Sequence, residues 1–211
     1  MTNQRHALPT DLLFLRHGET EANVQGILQG NSDTALTNAG RWQAQRAALR
    51  LAAWAPPICQ IYCSPLGRAR QTAAIVAQEL GAVPVVWSDL REMHLGVAEG
   101  LTIEAFRQSY PTAEAQRANR DDLAYTWPGG EQRLAFAQRV RQAALEIAAL
   151  HPGETVLLVT HGGVISAGVA ALLGEEKRRP VADNTSLSLM RVWPDGRAEL
   201  ITWNDASHLD D

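Results

Sequence analysis

The sequence predicts an α/β fold: a three-layer α/β/α sandwich whose sheet is mostly parallel with an antiparallel edge. Three observations predict it. Short apolar runs such as Leu12–Leu15 and Val156–Val159 are typical of strands buried on both faces. Segments with the apolar spacing of helices alternate with these strands. Near the end of the chain, Pro194-Asp195-Gly196 separates two strand-like runs and indicates a hairpin.

Each element follows from a local pattern, and no repeat or linker divides the chain, so we expect one domain over residues 1–211 with a loose tail at 1–10. The predicted elements are strand Leu12–Leu15, a loop over 18–36, a helix from Thr37 to about Ala53, strand Ile58–Cys63, a helix from Ser64-Pro65 to about Leu80, strand Val83–Trp87, a cap-like insertion over 88–130 with a helix at Thr102–Ser109 and another after Pro111, helix Gln132–Leu150, strand Thr155–Thr160, helix Gly163–Leu173, and the hairpin strands Leu187–Trp193 and Ala198–Trp203.

Two of these helices carry expectations for single residues. In the first, Thr37 is the expected N-cap, and Trp42, Leu49 and Ala53 are expected on the buried face. In the second, the hydroxyl of Ser64 is the expected cap, because proline in the next position favours the first turn of a helix.

The composition is that of an ordinary globular protein, with 45% apolar and 20% charged residues among 211. The net charge of −4 does not indicate binding to nucleic acid or to a membrane surface, and no apolar run is long enough to span a bilayer. Only two cysteines occur, Cys59 and Cys63, so neither a disulfide framework nor a zinc-ligand pattern is predicted. The N-terminus does not resemble a signal peptide, and we expect a cytoplasmic protein.

Two strand ends carry histidines. Arg16-His17-Gly18 follows the first strand, and His161-Gly162 follows the strand that ends at Thr160. Ligands of open parallel sheets bind at the carboxyl ends of strands, so two neighbouring strands would bring both rings to one pocket. Arginine beside such a histidine favours a phosphate over a metal ion. A neutral imidazole at His17 can attack phosphorus and form a phosphohistidine, while a second, positively polarised imidazole stabilises the phosphoryl oxygens.

Two further residues complete the chemistry that a phosphoryl group requires. Arg68 falls in the first turn of the helix expected to begin at Ser64-Pro65, where free backbone N–H groups and the helix dipole attract an anion. Glu92 follows the third predicted strand and could protonate a leaving oxygen, then take a proton from water. Its position alone does not distinguish Glu92 from other loop glutamates such as Glu99.

No metal ion and no organic cofactor are predicted. The sequence contains no His-Glu-x-x-His pattern, no paired Asp-x-Asp and no cysteine cluster, and no Walker-type glycine loop indicates nucleotide hydrolysis. The remaining histidines have no comparable setting and are interpreted as structural or exposed; they are His6, His94, His151 and His208.

A series of motifs occurs in a fixed order over roughly residues 11–203. They are Leu15-Arg16-His17-Gly18-Glu19-Thr20, Asn23, Gln29-Gly30, Leu36–Gly40, Ser64–Ala73, Glu92 with Gly96 and Glu99-Gly100, Pro128–Glu131, and His161–Ile165. Together they resemble the histidine phosphatase superfamily, also called the phosphoglycerate mutase-like family. The resemblance implies the phosphoglycerate mutase-like form of the α/β sandwich.

The resemblance also implies a role for each matching residue. His17 would be the phosphorylated nucleophile and Glu92 the proton donor, with no metal ion required. The residues implied to bind phosphoryl oxygens are Arg16, Arg68 and His161. The residues implied to bind the substrate are Asn23, Gln29, Gly30 and Gly162.

Four positions depart from the family pattern and leave the substrate open; they are Ile27, Ala98, Gln132 and Ser166. Ile27 stands where many relatives carry arginine, and Ala98 where an aromatic residue is frequent, which predicts a roomier and more apolar pocket wall. No paired arginines and no lysine lie between Leu95 and Trp127 to hold a second anionic group. We therefore expect substrates with one phosphate and an uncharged or apolar remainder.

The sequence thus predicts an enzyme, a histidine acid-type phosphatase that hydrolyses the phosphomonoester of a small metabolite through a phosphohistidine. It resembles the broad-specificity or α-ribazole phosphatase branch. Two alternatives stay open: phosphoryl transfer of the cofactor-dependent phosphoglycerate mutase type, and non-catalytic binding of a phosphorylated ligand on the same fold. The predicted partner is a small phosphorylated substrate, with no nucleic acid and no membrane, and a homodimer is left open.

Overall fold

The computed structural model describes residues 8–119, 122–175 and 180–210. One six-stranded sheet runs through it in the order β3-β2-β4-β1-β5-β6. The strands are β1 (Thr10–Arg16), β2 (Ile58–Cys63), β3 (Val85–Val86), β4 (Thr155–Thr160), β5 (Leu187–Val192) and β6 (Ala198–Asp205). The first four strands pair in parallel, whereas β5 is antiparallel to both β1 and β6. The predicted sheet, mostly parallel with an antiparallel edge, is confirmed.

Helices cover both faces of this sheet. The helices are α1 (Glu21–Val24), α2 (Asn38–Ala52), α3 (Gly67–Leu80), α4 (Ile103–Ser109), α5 (Pro111–Ala118), α6 (Arg133–Leu150) and α7 (Gly162–Leu173). One core cluster joins alternate strand residues such as Leu13 and Val159 to α2 and α3, and a second joins Leu12 and Leu158 to α6 and α7. Because successive strand side chains point to opposite faces, both faces of β1 are buried. The three-layer sandwich is confirmed.

The central strands β1 and β4 position the two predicted histidines. They are neighbours in the sheet and pair in register, with Arg16 opposite Thr160. The residues that follow, His17 and His161, therefore leave the same edge of the sheet side by side. The parallel pairing of β1 with β4 thus brings together two histidines that are far apart in the sequence.

The buried face of α2 differs from the prediction. Trp42 and Leu49 are 45% and 54% exposed, and Ala53 lies beyond the helix and is also exposed. The residues that face the core are small, with Leu51 as the one large member; they are Gly40, Ala44, Ala47, Ala48 and Leu51. They have helical spacing, and their small size lets α2 approach α3 closely. Thr37 caps the helix as predicted, accepting a hydrogen bond from N of Gly40 at 2.9 Å.

The start of α3 was also predicted wrongly. The helix begins at Gly67, and Ser64 lies before its first turn. The carboxylate of Asp33, from the loop after β1, accepts hydrogen bonds from N of Gly67 and from N of Arg68. The first N–H groups of α3 are therefore already bonded to a carboxylate and are not free for a substrate anion.

Smaller corrections concern element ends. The predicted tail overlaps β1, because Thr10 begins that strand and is buried; residues 1–7 lie outside the described part of the chain. The loop over 18–36 contains the short helix α1, closed by a capping box between Thr20 and Asn23. The strand predicted at Val83–Trp87 is reduced to β3, because Val83 is 81% exposed and makes no strand pairing.

The predicted insertion packs beside the carboxyl edge of the sheet. Its aromatic residues Phe106, Tyr125 and Trp127 form a third core cluster with Phe136 of α6 and Val164 of α7. The insertion, which includes α4 and α5, therefore packs against α6 and α7. Within the described ranges, no helix has both the length and the apolar character needed to cross a membrane.

Candidate active site

His17 presents one ring nitrogen to a cleft at the carboxyl edge of the sheet. Its side chain is buried, and Nδ1 donates a hydrogen bond to the carbonyl oxygen of Gly18 at 2.8 Å. This bond fixes the tautomer, so that Nε2 carries the free electron pair. The amide of Gly18 is held in turn by Oγ1 of Thr72 at 3.1 Å. A side chain at Gly18 would collide with the carbonyl oxygen of Gly40, which explains the glycine.

Arg68 links the nucleophile candidate to the loop after β1. Its guanidinium is 1% exposed, and Nε donates to Nε2 of His17 at 3.3 Å. Nη2 donates to the carbonyl oxygen of Gly30 at 2.8 Å, and Nη1 to the carbonyl oxygen of Ser32 at 2.8 Å. Nη1 also contacts the carboxylate of Asp33 at 3.1 Å. The arginine therefore fixes the loop and keeps one N–H beside Nε2.

His161 lies directly against the ring of His17. The ring centroids are 5.3 Å apart with an interplanar angle of 61°, and His161 is fully buried. Nε2 of His161 lies 2.7 Å from Oγ of Ser64, the residue that was predicted to be a helix cap. Nδ1 of His161 is buried and has no hydrogen-bond partner among the described residues.

Arg16 and Glu92 also line this cleft. Nη1 of Arg16 donates to the carbonyl oxygen of Ala182 at 2.6 Å, while its buried Nε has no partner among the described residues. The carboxylate of Glu92 accepts hydrogen bonds from N of Gly163 and N of Met93, both at 2.9 Å. These bonds aim the carboxylate and leave a second electron pair on each of its oxygens.

The predicted substrate-binding residues lie around the same cleft. Asn23 Oδ1 accepts a hydrogen bond from N of Thr20 at 3.1 Å, and Gln29 Oε1 accepts one from Thr34 at 3.1 Å. Gly30 has a φ of +53° and lies so close to Glu99 that a side chain there would collide. At Gly162 a side chain would strike Val181 and approach Arg16. The close packing explains both glycines.

The cleft has a volume of about 280 Å³. Eight of the nine predicted site residues line it, and the ninth, His161, is in ring contact with His17. The lining residues are Arg16, His17, Asn23, Ile27, Leu28, Gln29, Gly30, Arg68, Glu92, Met93, Leu95, Arg117, Trp127, Arg133, Gly162, Gly163 and Val181. Among these lining residues, four arginines face a single carboxylate, which gives a cleft that attracts anions.

Burial and the arginines keep both histidines neutral. Burial lowers the pKa of His17 well below 6.5, and the charges of Arg16 and Arg68 lower it further. The pKa of His161 is lowered in the same way, by burial first and then by Arg68. His17 is therefore available as a nucleophile, and His161 can offer a neutral N–H donor rather than the positively polarised ring that the sequence suggested. Burial also lowers the pKa of Arg16.

Several cleft residues were missed in the sequence. Arg117, Trp127 and Arg133 come from α5, the following loop and the start of α6. Asn184 Nδ2 donates to the backbone oxygen of His17 at 2.9 Å and to Oδ1 of Asn23 at 3.3 Å. The sequence predicted site residues only at strand ends and in the family motifs. The missed residues come from loops and helices, and no local sequence pattern links these segments to the cleft.

Of the four positions that depart from the family pattern, one lines the cleft and three do not. Ile27 lines the cleft, whereas Ala98 is fully buried in the third core cluster and contributes no wall. Gln132 is the residue before α6 and makes no side-chain capping bond, and Ser166 is buried inside α7. Arg117 and Arg133 add two cations to the cleft that the sequence patterns did not indicate. The contribution expected of Ala98 to the pocket wall is therefore wrong, whereas Ile27 lines the cleft as expected, and an uncharged or apolar remainder of the substrate stays a prediction.

The sheet topology and the buried histidine pair define an α/β protein with a phosphate-type anion site at its carboxyl edge. The chain belongs to the histidine phosphatase superfamily, branch 1, whose family model matches residues 12–206. The resemblance seen in the motifs is therefore confirmed.

Three similar proteins illustrate the relationship. Phosphoglycerate mutase-like protein 4 of Arabidopsis thaliana is 36% identical over 204 residues, covering 95% of this chain and 87% of that protein. Glucosyl-3-phosphoglycerate phosphatase of Mycobacterium tuberculosis is 38% identical over 187 residues, with coverage of 85% and 80%. The crystal structure of the α-ribazole phosphatase from Shigella flexneri superimposes with a TM-score of 0.80 at 28% identity, with coverage of 93% and 96%. The predicted class, a phosphomonoester hydrolase acting on small phosphorylated metabolites, is confirmed by this family membership.

Proposed function

We propose that His17 is the nucleophile of a two-step phosphomonoester hydrolysis. Nε2 attacks phosphorus while the ester P–O bond breaks, and Glu92 gives its proton to the leaving oxygen. Water then attacks the phosphohistidine, the P–N bond breaks, and the carboxylate of Glu92 takes a proton from that water. The observation that carries this proposal is the bond from Nδ1 of His17 to Gly18, which leaves Nε2 unprotonated beside Arg68.

The cations around Nε2 supply the electrostatic part of the reaction. Nε of Arg68 lies 3.3 Å from Nε2 of His17 and can turn to an equatorial phosphoryl oxygen once that nitrogen bonds to phosphorus. Nε of Arg16 is buried without a partner among the described residues and is the second donor. Donors that are already in position act strongly in a buried cleft, because little reorganisation accompanies the reaction.

The test is direct. The purified protein should release phosphate from p-nitrophenyl phosphate and from a panel of phosphorylated metabolites without added metal. An inactive protein that still binds phosphate would support the binding-protein alternative. Rapid interconversion of 2- and 3-phosphoglycerate with negligible phosphate release would support the mutase alternative.

We further propose that the enzyme, as a histidine acid-type phosphatase, stays active at mildly acidic pH. The pKa of His17 is lowered by burial, so its neutral form persists below pH 6.5. Protonation of His17 therefore does not limit activity under mildly acidic conditions. A pH profile of kcat/KM that stays high below pH 6.5 would support this proposal, and a loss of activity centred on pH 6.5 would contradict it.

A homodimer and a cytoplasmic location remain proposals. The short edge strand β3 leaves Val85 and Val86 43% and 50% exposed, and this apolar edge is the surface through which we propose that two copies meet. Sedimentation of the wild-type protein beside a Val85→Lys variant tests whether two copies associate through β3.

The proposed cytoplasmic location rests on the cysteines. Cys59 and Cys63 are both free thiols, which is typical of a reducing compartment.

A further inference from the structure

We propose that Cys59, His151 and Glu154 form a zinc site at the edge of the sheet opposite the active site. Sγ of Cys59 lies 3.6 Å from Nδ1 of His151 and 3.2 Å from Oε2 of Glu154. Nδ1 of His151 lies 2.9 Å from the same carboxylate oxygen. Each residue thus offers one ligand atom to a common centre.

These distances fit tetrahedral zinc closely. With Zn–S of about 2.3 Å and Zn–N and Zn–O of about 2.0–2.1 Å, the ligand atoms of a tetrahedral site lie about 3.3–3.6 Å apart. The three observed separations need to change by at most about half an ångström to match that geometry. Thiolate, imidazole and carboxylate together favour zinc over magnesium or calcium, which prefer oxygen ligands. A thiolate and a carboxylate also balance the two positive charges.

The backbone aims these side chains at one another. Ile58 of β2 pairs with Thr155 of β4 and Gln60 pairs with Val156, so Cys59 is the extra residue of a β-bulge. Bulges commonly redirect a side chain, and they are rare between parallel strands. The bulge brings the Cys59 thiol toward the turn that precedes β4, where it meets Glu154.

The turn that carries the other two ligands is held firmly. The amide of Glu154 donates to the carbonyl oxygen of His151 at 3.1 Å, and Gly153 adopts a φ of +81° between them. The buried hydroxyl of Thr10 lies 2.8 Å from the carbonyl oxygens of both Ala148 and His151. The backbone that carries the two ligands is therefore held in place before any metal ion binds.

Tyr62 provides the outer support that metal-binding histidines usually have. Its hydroxyl lies 3.0 Å from Nε2 of His151, and its ring makes an edge contact with the imidazole. When Nδ1 ligates zinc, the ring proton lies on Nε2 and is donated to the Tyr62 oxygen. Cys59 and Glu154 are exposed, so water can take the fourth position.

This site is separate from catalysis. It lies at the amino end of β4, whereas His161 follows the carboxyl end, and six residues of strand span about 20 Å. Zinc would tie the start of β2 to the turn before β4. We therefore expect metal binding to raise thermal stability while the metal-free enzyme keeps its phosphatase activity.

Cobalt(II) is the probe that tests the site, because a thiolate ligand gives it a sulfur-to-metal charge-transfer band and a tetrahedral field intensifies its visible bands. We expect both signals in the tag-free protein, with one equivalent of cobalt displaced by one of zinc. Cys59→Ser should abolish the charge-transfer band, and His151→Gln should weaken cobalt binding at least tenfold. Cys63→Ala, which changes the buried cysteine, and His94→Gln, which changes an exposed histidine beside a carboxylate, are the matched controls and should keep the band.

Stability supplies the second measurement. Zinc at roughly 100-fold above its Kd should raise the melting temperature by about 5–10 °C, and Cys59→Ser should remove that shift. Metal bound by the active-site histidines alone would give no thiolate band and would overturn the proposal. An unchanged band in Cys59→Ser, or an equal zinc shift in that variant, would overturn it as well.

Discussion

Nε2 of His161 and Oγ of Ser64 lie 2.7 Å apart in a fully buried contact. Oγ of Ser64 also accepts a hydrogen bond from N of Leu66 at 3.2 Å and keeps both a proton and an electron pair for the contact with His161. When Ser64 donates to Nε2, the proton of the neutral imidazole resides on Nδ1, which has no partner among the described residues. We expect Ser64 to donate in this way and so to favour the tautomer in which His161 donates a hydrogen bond to a phosphoryl oxygen.

The first prediction concerns this contact. Ser64→Ala should lower kcat about 10–100-fold, because the tautomer of His161 is no longer fixed and a transition-state donor is weakened. Ser64→Thr, which keeps the hydroxyl, should recover most of the activity. Nitrogen-15 NMR of the imidazoles should show Nδ1 of His161 protonated in the wild type and a mixture of tautomers in Ser64→Ala. A wild-type kcat in the alanine variant would refute the role.

The second prediction concerns the covalent intermediate. Wild-type enzyme mixed briefly with a ³²P-labelled phosphomonoester and quenched in base should retain an acid-labile label, because phosphohistidine survives alkali. His17→Ala should lose both the label and turnover, because His17 is the one histidine among the described residues that line the cleft. His94→Ala is the control and should keep both. A label that persists in His17→Ala would show that another residue is the nucleophile.

The sequence was informative where chemistry follows a strand. Leu12–Leu15 and Val156–Val159 are apolar throughout, and their burial in adjacent parallel strands brings His17 and His161 together. That result needs only strand periodicity and the rule that ligands bind at carboxyl ends. Arg68 and Glu92 came from their positions after such strands and from the family motifs.

The sequence was uninformative where a loop meets a distant element. Asp33 caps α3, and Asn184 bonds to the backbone of His17, although no local pattern links either pair. Cys59 and Glu154 likewise meet only because β2 and β4 pair with a bulge. In α2 the large residue Trp42 suggested an apolar face, but close packing against α3 selected the alanines. Such contacts depend on tertiary packing, which overrides local preference.

The third prediction concerns the proton donor. Glu92→Gln should lower kcat about 10²–10⁴-fold for alkyl phosphates, whose leaving oxygen needs a proton. The loss should be much smaller for p-nitrophenyl phosphate, because p-nitrophenolate leaves without protonation. Glutamine can still accept one hydrogen bond from N of Gly163, so the loop should keep its position. Equal losses for both substrates would indicate a structural role for Glu92.

The fourth prediction concerns stability and pH. The pKa values of His17 and His161 are lowered in the folded protein by burial, so below pH 6.5 the unfolded chain binds protons that the folded state does not. Stability should therefore fall as pH decreases from 6.5, by about 1.4 kcal/mol per pH unit for each histidine until its folded pKa is reached. Urea unfolding at several pH values measures this dependence. In His17→Asn the free energy of unfolding should fall less steeply with decreasing pH, by that amount per pH unit. The same dependence of the unfolding free energy on pH in wild type and variant would contradict the lowered pKa of His17.

The last prediction concerns the part of the substrate beyond the phosphate. Arg117 lines the cleft and is partly exposed, with Nε and Nη2 held by the buried carboxylate of Glu114. Burial beside Glu114 fixes the direction of the guanidinium without removing it from the cleft, so a second anionic group on the substrate has a cation to meet.

Arg117→Ala should therefore raise KM about 10–100-fold for a phosphomonoester that bears a carboxylate, such as phosphoserine or 3-phosphoglycerate. It should change KM for phenyl phosphate, which lacks that group, less than about twofold, because the lost contact is with the carboxylate. Arg107→Ala is the matched control, since Arg107 also approaches Glu114, at 4.0 Å, but its side chain is 58% exposed and does not line the cleft. Equal increases for both substrates would show that Arg117 supports the fold of α5 instead. If KM increases for neither substrate, the result would favour a substrate with an uncharged remainder. The phosphohistidine chemistry of His17 would be unaffected.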